Sequence, residues 1–299
     1  MSNELKVLFA VDFKEGCEEA MKDIIAISNK TPMSLTLMSI YFERRFEEVD
    51  HLYAAAVLKH AEAKSKIQFS IEDKLEAWAK KNTAGLKTQK IVEFGDPAEV
   101  FAKHAGEFDL IVLGSNKHGL LDKVFKNSVA ENIVGRTYAP TLIKRSQLSK
   151  ASSAKVLVDV SDHPNEIISD SFKWANSLGL SSLEFISYYP MLIELAAIPG
   201  VSMPQLPKEE IDQLMSQIKT GLSKMIEEKS AGLKFSVEVK KAPSSSLASS
   251  IAADFIDCSQ PVFIGRKRRS HLSEFFLGSV AVSLMRTIKT DLLVLPIKD

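Results

Sequence analysis

One stretch of the sequence occurs twice, first as LGSNKHG (residues 113–119) and again as IGRKRRS (residues 264–270). The first copy leads to NSVA (residues 127–130) and the second to GSVA (residues 278–281). Each copy follows a short apolar run and precedes a helical pattern. A strand, a glycine-containing loop and a serine that opens a helix are typical of sites that bind phosphate through backbone N–H groups. Many helices begin in this way without any ligand, so the stretch predicts a fold before it predicts a site.

The two copies belong to a long internal duplication. Gly114 and Gly265 are 151 positions apart, and so are Ser128 and Ser279. Such a period indicates two similar units. The sequence therefore predicts a first domain over residues 1–146, a small polar linker over residues 147–154 and a second domain over residues 155–299.

Apolar runs alternate with helical patterns in both halves. Strands are predicted at residues 5–11, 35–41, 88–93, 109–113 and 141–144, and again at 155–160, 183–189, 235–239, 262–264 and 292–295. A long helical pattern covers residues 51–81, and residues 190–207 carry four prolines that predict an irregular excursion. Strands that alternate with helices predict an α/β fold, with a five-stranded parallel sheet covered by helices on both faces in each half.

Composition excludes several classes of protein. The 299 residues carry 38 basic and 38 acidic side chains, so nothing global indicates nucleic acid or a membrane surface as partner. The two cysteines, Cys17 and Cys258, are too few for a disulfide framework and favour a reducing compartment. The six histidines show no zinc-ligand spacing, and no apolar run approaches the length of a membrane span. The N-terminus lacks the pattern of a signal peptide.

Several short segments together resemble the universal stress protein (UspA) family, here as a tandem pair. The segments are Phe9-Ala10-Val11-Asp12, Phe94-Gly95-Asp96-Pro97-Ala98, Asp109 to Ser115, Ser128-Val129-Ala130-Glu131 and Ala139-Pro140-Thr141-Leu142. The likeness covers nearly all of residues 1–145 and, less densely, residues 155–297. It implies two Rossmann-like domains of the adenine nucleotide alpha hydrolase-like type.

The resemblance also implies a candidate nucleotide site in each half, with ATP and Mg as the candidate ligand. Its residues would be Asp12, Ile40, Gly114, Asn127, Ser128 and Val129 in the first half, and Gly265, Gly278, Ser279 and Val280 in the second. Nucleotide-binding members have the pattern Gly, two residues, Gly, nine residues, Gly, then Ser or Thr. Here Lys117 and Arg268 replace the second glycine, and Asn127 replaces the third in the first half. The counterpart of Asp12 is expected at Ser161, beside Asp162.

Each candidate residue has a structural alternative. Lys117 and Arg268 are long cations that could pair with a phosphate or fill the space that it would occupy. Ser128 and Glu131 form the pattern of a capping box, and Ser279 is expected to cap its helix alone. An aspartate after a strand, such as Asp12, is often a turn former. The basic run at residues 266–269 is typical of a solvated loop, and a sharper hypothesis makes it an anion-binding lip.

Three functions follow from these patterns and from what the resemblance implies. The leading interpretation is a cytoplasmic stress-response binding module that is not an enzyme, with its two halves packed as an intrachain pseudo-dimer through their last strands and with further homodimerisation open. The second is a nucleotide-free interaction protein in which both pockets have decayed. The third is an enzyme that cleaves ATP slowly, although no acid–base pair can be identified from the sequence. The second half is favoured for phosphate binding, and Asp12 favours the first.

Overall fold

The chain divides into two compact units, Met1–Ile143 and Lys144–Asp299. The computed structural model describes residues 4–42, 54–114, 129–160, 164–189, 207–242, 247–267 and 278–297. Both units are α/β, as predicted. The exact domain limits proposed from the sequence stay a prediction.

The first unit alternates strands and helices from end to end. Its elements are β1 (Leu5–Ala10), α1 (Glu15–Ser28), β2 (Met33–Tyr41), α2 (Ala54–Asn82), β3 (Thr88–Phe94), α3 (Pro97–His104), β4 (Leu110–Gly114), α4 (Val129–Arg136) and β5 (Thr141–Lys144), whose last residue opens the second unit. A short 3-10 turn, Ala105–Glu107, follows α3. These bounds agree closely with the predicted strands because each strand is a short apolar run between turn residues.

Its sheet has the strand order β3-β2-β1-β4-β5. Strand β1 pairs in parallel with β2 and with β4, so that Ala10 lies beside both Met38 and Leu113. One face of the sheet packs against α3 and α4 through Leu8, Met38 and Ile111. On the other face, the ring of Phe9 stacks on Trp78 of α2, with ring centroids 6.2 Å apart. Burial on both faces explains why these strands are almost wholly apolar.

The second unit repeats this succession. Its elements are β6 (Ser153–Leu157), α5 (Pro164–Leu178), β7 (Ser182–Tyr189), α6 (Lys208–Glu227), β8 (Lys234–Lys241), α7 (Leu247–Phe255), β9 (Val262–Lys267), α8 (Ser279–Thr287) and β10 (Leu292–Ile297). Its strand order is β10-β9-β6-β7-β8, the same topology as in the first unit. Every recorded strand pair in it is parallel. The rings of Phe172 on α5 and Phe185 on β7 lie 5.4 Å apart in its core.

A four-residue turn recurs unchanged in the two units. Ala84-Gly85-Leu86-Lys87 follows α2, and Ala231-Gly232-Leu233-Lys234 follows α6. In both copies the alanine and the glycine have positive φ, 51° and 80° in the first and 46° and 87° in the second. Left-handed residues end a helix by turning the chain out of its path, and glycine adopts that conformation without strain. The turn therefore delivers the chain to β3 and β8 in the same way.

Two segments differ from the sequence-based prediction. The predicted linker at residues 147–154 contains a 3-10 turn, Leu148–Lys150, and the first residues of β6, and Leu148 is fully buried. The basic run at residues 266–269 was interpreted as a loop, but Arg266 and Lys267 continue β9, because their backbone pairs with Pro296 and Ile297 of β10. Backbone pairing extends a strand whatever its side chains are.

A buried ion pair fixes the start of the second unit. Lys144 Nζ lies 2.7 Å from Asp291 Oδ2, and the two side chains are 1% and 0% exposed. The Asp291 carboxylate also accepts hydrogen bonds from the backbone N–H groups of Arg145 and Ser146, and from Ser146 Oγ. Arg145 donates to the carbonyl oxygens of Met285 and Ile288. A buried carboxylate with this many donors is fully compensated, so the cluster holds this segment in one conformation.

Among the described residues, no helix is both long and apolar enough to cross a membrane.

Candidate functional site

In the first unit, the candidate site begins where β1 leaves the sheet. The Val11 backbone N–H still donates to Met38 O at 2.8 Å, and the next residue, Asp12, is exposed. Asp12 Oδ1 accepts a hydrogen bond from the Lys14 backbone N–H at 3.0 Å. This local bond is the turn-forming role that was the alternative for Asp12. It leaves the carboxylate accessible at the carboxyl end of the sheet.

Phe13, directly after Asp12, has an unusual backbone. Its φ is 59°, a left-handed conformation that a bulky side chain rarely adopts. The ammonium group of Lys74 on α2 lies 4.4 Å from the centroid of the Phe13 ring. Strain of this kind is retained where the surroundings impose it, often at a ligand site. Sequence reasoning missed Phe13, because a phenylalanine carries no signal of positive φ.

Gly114 has a packing role. A Cβ at this position would lie 3.2 Å from Cys17 Cα and 3.5 Å from Gly16 O, so the glycine lets α1 approach β4. Its φ is not positive, and the same holds for Gly265 and Gly278. None of these three glycines is therefore needed for a left-handed backbone. Burial raises the pKa of the Cys17 thiol to about 12, so the thiol beside Gly114 stays protonated.

The remaining first-unit candidates are only partly described. Ile40 is half-buried and packs against the core under α3, while Val129 is 51% exposed on the first turn of α4. Lys117, Asn127 and Ser128 lie outside the described residues. The predicted capping box therefore stays a prediction, although its other member, Glu131, is buried on α4.

In the second unit, the strand register corrects the predicted counterpart of Asp12. Leu157 on β6 lies beside Ile186 and Ile264, just as Ala10 lies beside Met38 and Leu113. The Val158 N–H donates to Ile186 O at 3.0 Å, as Val11 does to Met38 O. The next residue, Asp159, therefore occupies the position of Asp12 and is also exposed.

The assignment of Ser161 to that position was wrong. Apolar Val158 and Val160 made the strand look longer than it is, since β6 ends at Leu157. The second unit therefore has an aspartate, Asp159, at the position where the sequence had predicted a serine. The useful signal was the recurrence of Val-Asp in Val11-Asp12 and Val158-Asp159.

Gly265 is also explained by packing. A Cβ there would clash with the side chain of Ile297, whose Cγ1 would lie 3.1 Å away, and would touch Ile167 Cδ1 at 3.6 Å. The glycine lets β9 accommodate the end of β10 and the first turn of α5. This position carries no evidence for a ligand by itself.

Gly278 differs from the other two glycines. It is the N-cap of α8, with φ −55° and ψ 147°, and among the described residues nothing lies within 4 Å of a Cβ built on it. Ser279 is the first helical residue and is exposed, and Val280 is half-buried. The N-cap is Gly278, not Ser279, so the prediction that Ser279 caps α8 is wrong, and no side chain of the described residues caps this helix. The exposed N-terminus of α8 offers backbone N–H groups and the positive end of the helix dipole.

The strand register brings two second-unit residues, Asp159 and Gly265, to one end of their sheet. β6 and β9 are neighbours in register, so Asp159 and Gly265 both follow the paired residues Leu157 and Ile264. Ser161, Asp162 and Arg268 lie outside the described residues. Within the described part of the chain, no group of three or more His, Cys, Asp or Glu residues is placed to hold a metal ion.

A polar contact joins strand and helix beside each candidate site. In the first unit, Glu93 on β3 accepts from Lys103 at 3.2 Å and from His104 Nε2 at 3.0 Å, both on α3. In the second unit, Asp254 on α7 lies 3.4 Å from Lys240 Nζ on β8 and accepts from the Tyr188 hydroxyl at 2.8 Å. Burial and the Asp254 carboxylate raise the pKa of Tyr188 above its usual value, so the hydroxyl stays a donor.

The Glu93 contact predicts a pH dependence of stability. The hydrogen bond from His104 holds the pKa of Glu93 below its usual value of 4.5, and Lys103 acts in the same direction. A carboxylate with a lowered folded pKa stabilises the fold above its unfolded pKa, and this stabilisation is lost as pH falls through the folded pKa. At about pH 7, we expect the free energy of unfolding of wild type to exceed that of Glu93→Gln by about 0.5–1 kcal/mol, and we expect a smaller difference at about pH 3. Urea unfolding at both pH values measures it, and an equal difference at both would contradict the assignment.

Comparison with known proteins shows which family the first unit resembles. Residues 5–145 match the family model described as the universal stress protein family. Universal stress protein MJ0577 of Methanocaldococcus jannaschii is 27% identical over 156 residues, which are 48% of this chain and 96% of that protein.

Solved structures similar to the whole chain support the fold. A universal stress protein from Archaeoglobus fulgidus has a TM-score of 0.57 at 16% identity, covering 97% of this chain and 98% of its own. A functionally unknown protein, PA1789, from Pseudomonas aeruginosa has a TM-score of 0.58 at 16% identity, covering 99% and 93%. At these identities the likeness concerns the fold alone. The family match covers β1 to β5, so residues 5–145 form a universal stress protein domain.

Proposed function

We propose that the chain is a tandem universal stress protein of the cytoplasm, a stress-response binding module that is not an enzyme. Its second unit binds an adenine nucleotide, with ATP and Mg as the candidate ligand. The phosphates lie at the N-terminus of α8, against Gly278, Ser279 and Val280. Asp159 lies at the opposite side of this site, where it accepts hydrogen bonds from the ribose or the base.

The observation that carries this proposal is the contrast between glycines. Gly114 and Gly265 each fit against neighbouring protein atoms, whereas no atom of the described residues lies within 4 Å of a Cβ built on Gly278, whose φ is ordinary. At the N-terminus of a helix, such a glycine leaves room for a ligand to approach the backbone closely. The exposed, uncapped start of α8 offers that ligand the N–H groups that an anion requires.

The second unit is favoured over the first for two reasons. Its aspartate, Asp159, is present, which removes the main argument for the first unit. The first unit has Asn127 in place of the glycine that corresponds to Gly278, and Asn keeps a Cβ. Both units share one weakness, because Lys117 and Arg268 replace the middle glycine of the family pattern.

Calorimetric titration with MgATP tests the proposal, after any nucleotide released by denaturing the purified protein has been identified. We expect Gly278→Val to weaken binding at least about tenfold, because the isopropyl group occupies the space beside the helix N-terminus. The fold should tolerate the change, since no described atom lies within 4 Å of the new Cβ. Gly221→Val is the matched control, because Gly221 on α6 also has open space around it. Equal affinity in the two variants would contradict a site at α8.

Substitution of Asp159 and of Asp12 shows which of the two units binds the nucleotide. Asp159→Ala should weaken MgATP binding, while Asp12→Ala should leave it unchanged. The reverse result would move the site to the first unit. Incubation with labelled ATP for hours should yield no ADP, and steady release of ADP would overturn the non-enzyme assignment.

A nucleotide-free interaction module is the second candidate, favoured by the long cations at Lys117 and Arg268. No released nucleotide and no binding at millimolar MgATP would select it. An intrachain pseudo-dimer through β5 and β10, with further homodimerisation, stays a prediction. Sedimentation equilibrium of the intact chain tests the homodimer.

A further inference from the structure

The two units carry an ion pair at equivalent positions with the charges exchanged. In the first unit the strand supplies the carboxylate, Glu93, and the helix the ammonium group, Lys103. In the second unit the strand supplies the ammonium group, Lys240, and the helix the carboxylate, Asp254. The N–O distances are 3.2 and 3.4 Å.

The strand positions are equivalent by register. Glu93 lies beside Ile40, and Lys240 lies beside Tyr188. The last residue of β1, Ala10, pairs with Met38, and Ile40 comes two residues later. The last residue of β6, Leu157, pairs with Ile186, and Tyr188 comes two residues later.

The helix positions are equivalent by their distance from the repeated stretch. Lys103 precedes Gly114 by eleven residues, and Asp254 precedes Gly265 by eleven residues. Both side chains reach from the helix to the strand on the same face of their own sheet, as the ion pairs show.

Exchange of the two helices would therefore bring like charges together. If α3 packed on β7 and β8, Lys103 would face Lys240. If α7 packed on β2 and β3, Asp254 would face Glu93. Like charges in such contacts repel, and a wrong pairing is penalised twice because both exchanged contacts are unfavourable.

Tyr188 strengthens the discrimination. Its side chain is only 8% exposed, and its hydroxyl donates to Asp254 at 2.8 Å. With α3 in place of α7, Lys103 would bring no acceptor carboxylate, and the hydroxyl would remain buried without its partner. A buried donor without a partner is costly, whereas Ile40 at the equivalent place in the first unit makes no such demand.

Tandem domains of one topology can misassemble by exchanging equivalent elements. The buried residues Phe101 on α3 and Ala252 on α7 each precede their glycine by thirteen residues, so side-chain volume contributes to this discrimination as well. We propose that the reversed ion pairs, with Tyr188, keep α3 and α7 on their own sheets while the chain folds. This inference does not depend on any nucleotide.

Refolding of the full chain from urea tests the proposal. The variant Glu93→Lys/Lys103→Asp gives the first unit the polarity of the second while it retains an ion pair. We expect the fraction recovered as native monomer by size-exclusion chromatography to fall about twofold or more, with the loss growing as protein concentration rises. Tryptophan emission identifies the native state in the monomer peak.

A second ion pair on the same strand supplies the control. Lys90 on β3 and Glu76 on α2 lie 2.6 Å apart, with side chains 30% and 64% exposed, against 27% and 67% for Glu93 and Lys103. By the strand register, the position in the second unit that is equivalent to Lys90 is Val237. Because valine is uncharged, reversing the Lys90 and Glu76 pair does not give the two units the same charge polarity. The variant Lys90→Glu/Glu76→Lys should refold like wild type.

A compensated variant separates misassembly from simple loss of stability. In a Tyr188→Phe background, where no hydroxyl requires Asp254 as its acceptor, adding Lys240→Glu/Asp254→Lys to Glu93→Lys/Lys103→Asp restores opposite polarity in the two units. Monomer recovery should return toward the wild-type level, even if the thermal midpoint does not. Recovery that stays as low as in the charge-matched variant, or a charge-matched variant that refolds like wild type, would overturn the proposal.

Discussion

The variant Asp291→Asn is expected to lose about 3–5 kcal/mol of stability in the second unit. The substitution removes the charge that compensates Lys144, whose side chain is 1% exposed and whose Nζ lies 2.7 Å from the carboxylate. A buried ammonium group without its counter-ion is penalised by its lost hydration. The substitution also weakens the bonds from the Arg145 and Ser146 N–H groups, which now end on a neutral amide.

Urea unfolding followed by Trp174 fluorescence measures this effect. Trp174 lies on α5 in the second unit and is buried, and Trp78→Phe removes the other tryptophan of the chain. Trp78 Nε1 has no hydrogen-bond partner among the described residues, so this background change breaks no bond seen there. The control is Asp257→Asn, because Asp257 pairs with Lys289 at 3.4 Å with both side chains highly exposed. The control should change stability by less than about 0.5 kcal/mol, and a similar loss in both variants would contradict the role given to Asp291.

The variant Gly114→Ala is expected to destabilise the first unit by about 1–3 kcal/mol. The new methyl group would lie 3.2 Å from Cys17 Cα and 3.5 Å from Cys17 N, and both are backbone atoms that cannot rotate away. The helix α1 would have to move from β4, which disturbs the packing of Cys17 and Met21 in the core. A glycine kept only for phosphate binding would tolerate alanine with no loss of stability.

Trp78 fluorescence in a Trp174→Phe background reports this change. The control is Gly106→Ala, since Gly106 has no atom within 4 Å of the built Cβ and no positive φ. Gly114→Ala should also leave MgATP affinity unchanged if the second unit holds the site. Equal stability of the two alanine variants would show that the close contact with α1 relaxes freely.

The architecture could be predicted from the sequence because it depends on apolar runs and turn residues. β5 was predicted at its observed limits, residues 141–144. The segment Gly95-Asp96-Pro97 starts α3, and Asp96 accepts hydrogen bonds from the Ala98 and Glu99 N–H groups. Strand ends were harder where backbone pairing and side-chain character diverge. β9 continues through Arg266 and Lys267, and β6 ends before Val158 and Val160 despite their apolar side chains.

The site was predicted less well for the same reason. Because the end of β6 was predicted too late, the counterpart of Asp12 was placed at Ser161 instead of Asp159. The second unit was therefore predicted to lack this aspartate. The packing roles of Gly114 and Gly265 depend on Cys17 and Ile297, which are distant in sequence from them. A glycine's neighbours in space are not encoded in its neighbours along the chain. The space beside Gly278, where no described atom lies within 4 Å of a built Cβ, also has no sign in the sequence.

The shared Ala-Gly-Leu-Lys turn makes the two units interchangeable at one point. A crossover at this tetrapeptide, joining residues 1–87 to residues 235–299, creates no new sequence at the junction. The recombinant single-unit protein would take β1, β2 and both of their helices from the first copy, and the whole segment from β8 to β10 from the second. It would carry Asp12 with Gly278, and would keep the Lys240 and Asp254 pair while replacing Tyr188 by Ile40. Unequal recombination within a duplicated gene can thus regenerate a single-unit protein. The turn that ends α2 and α6 is the point where the two copies join without a change of sequence.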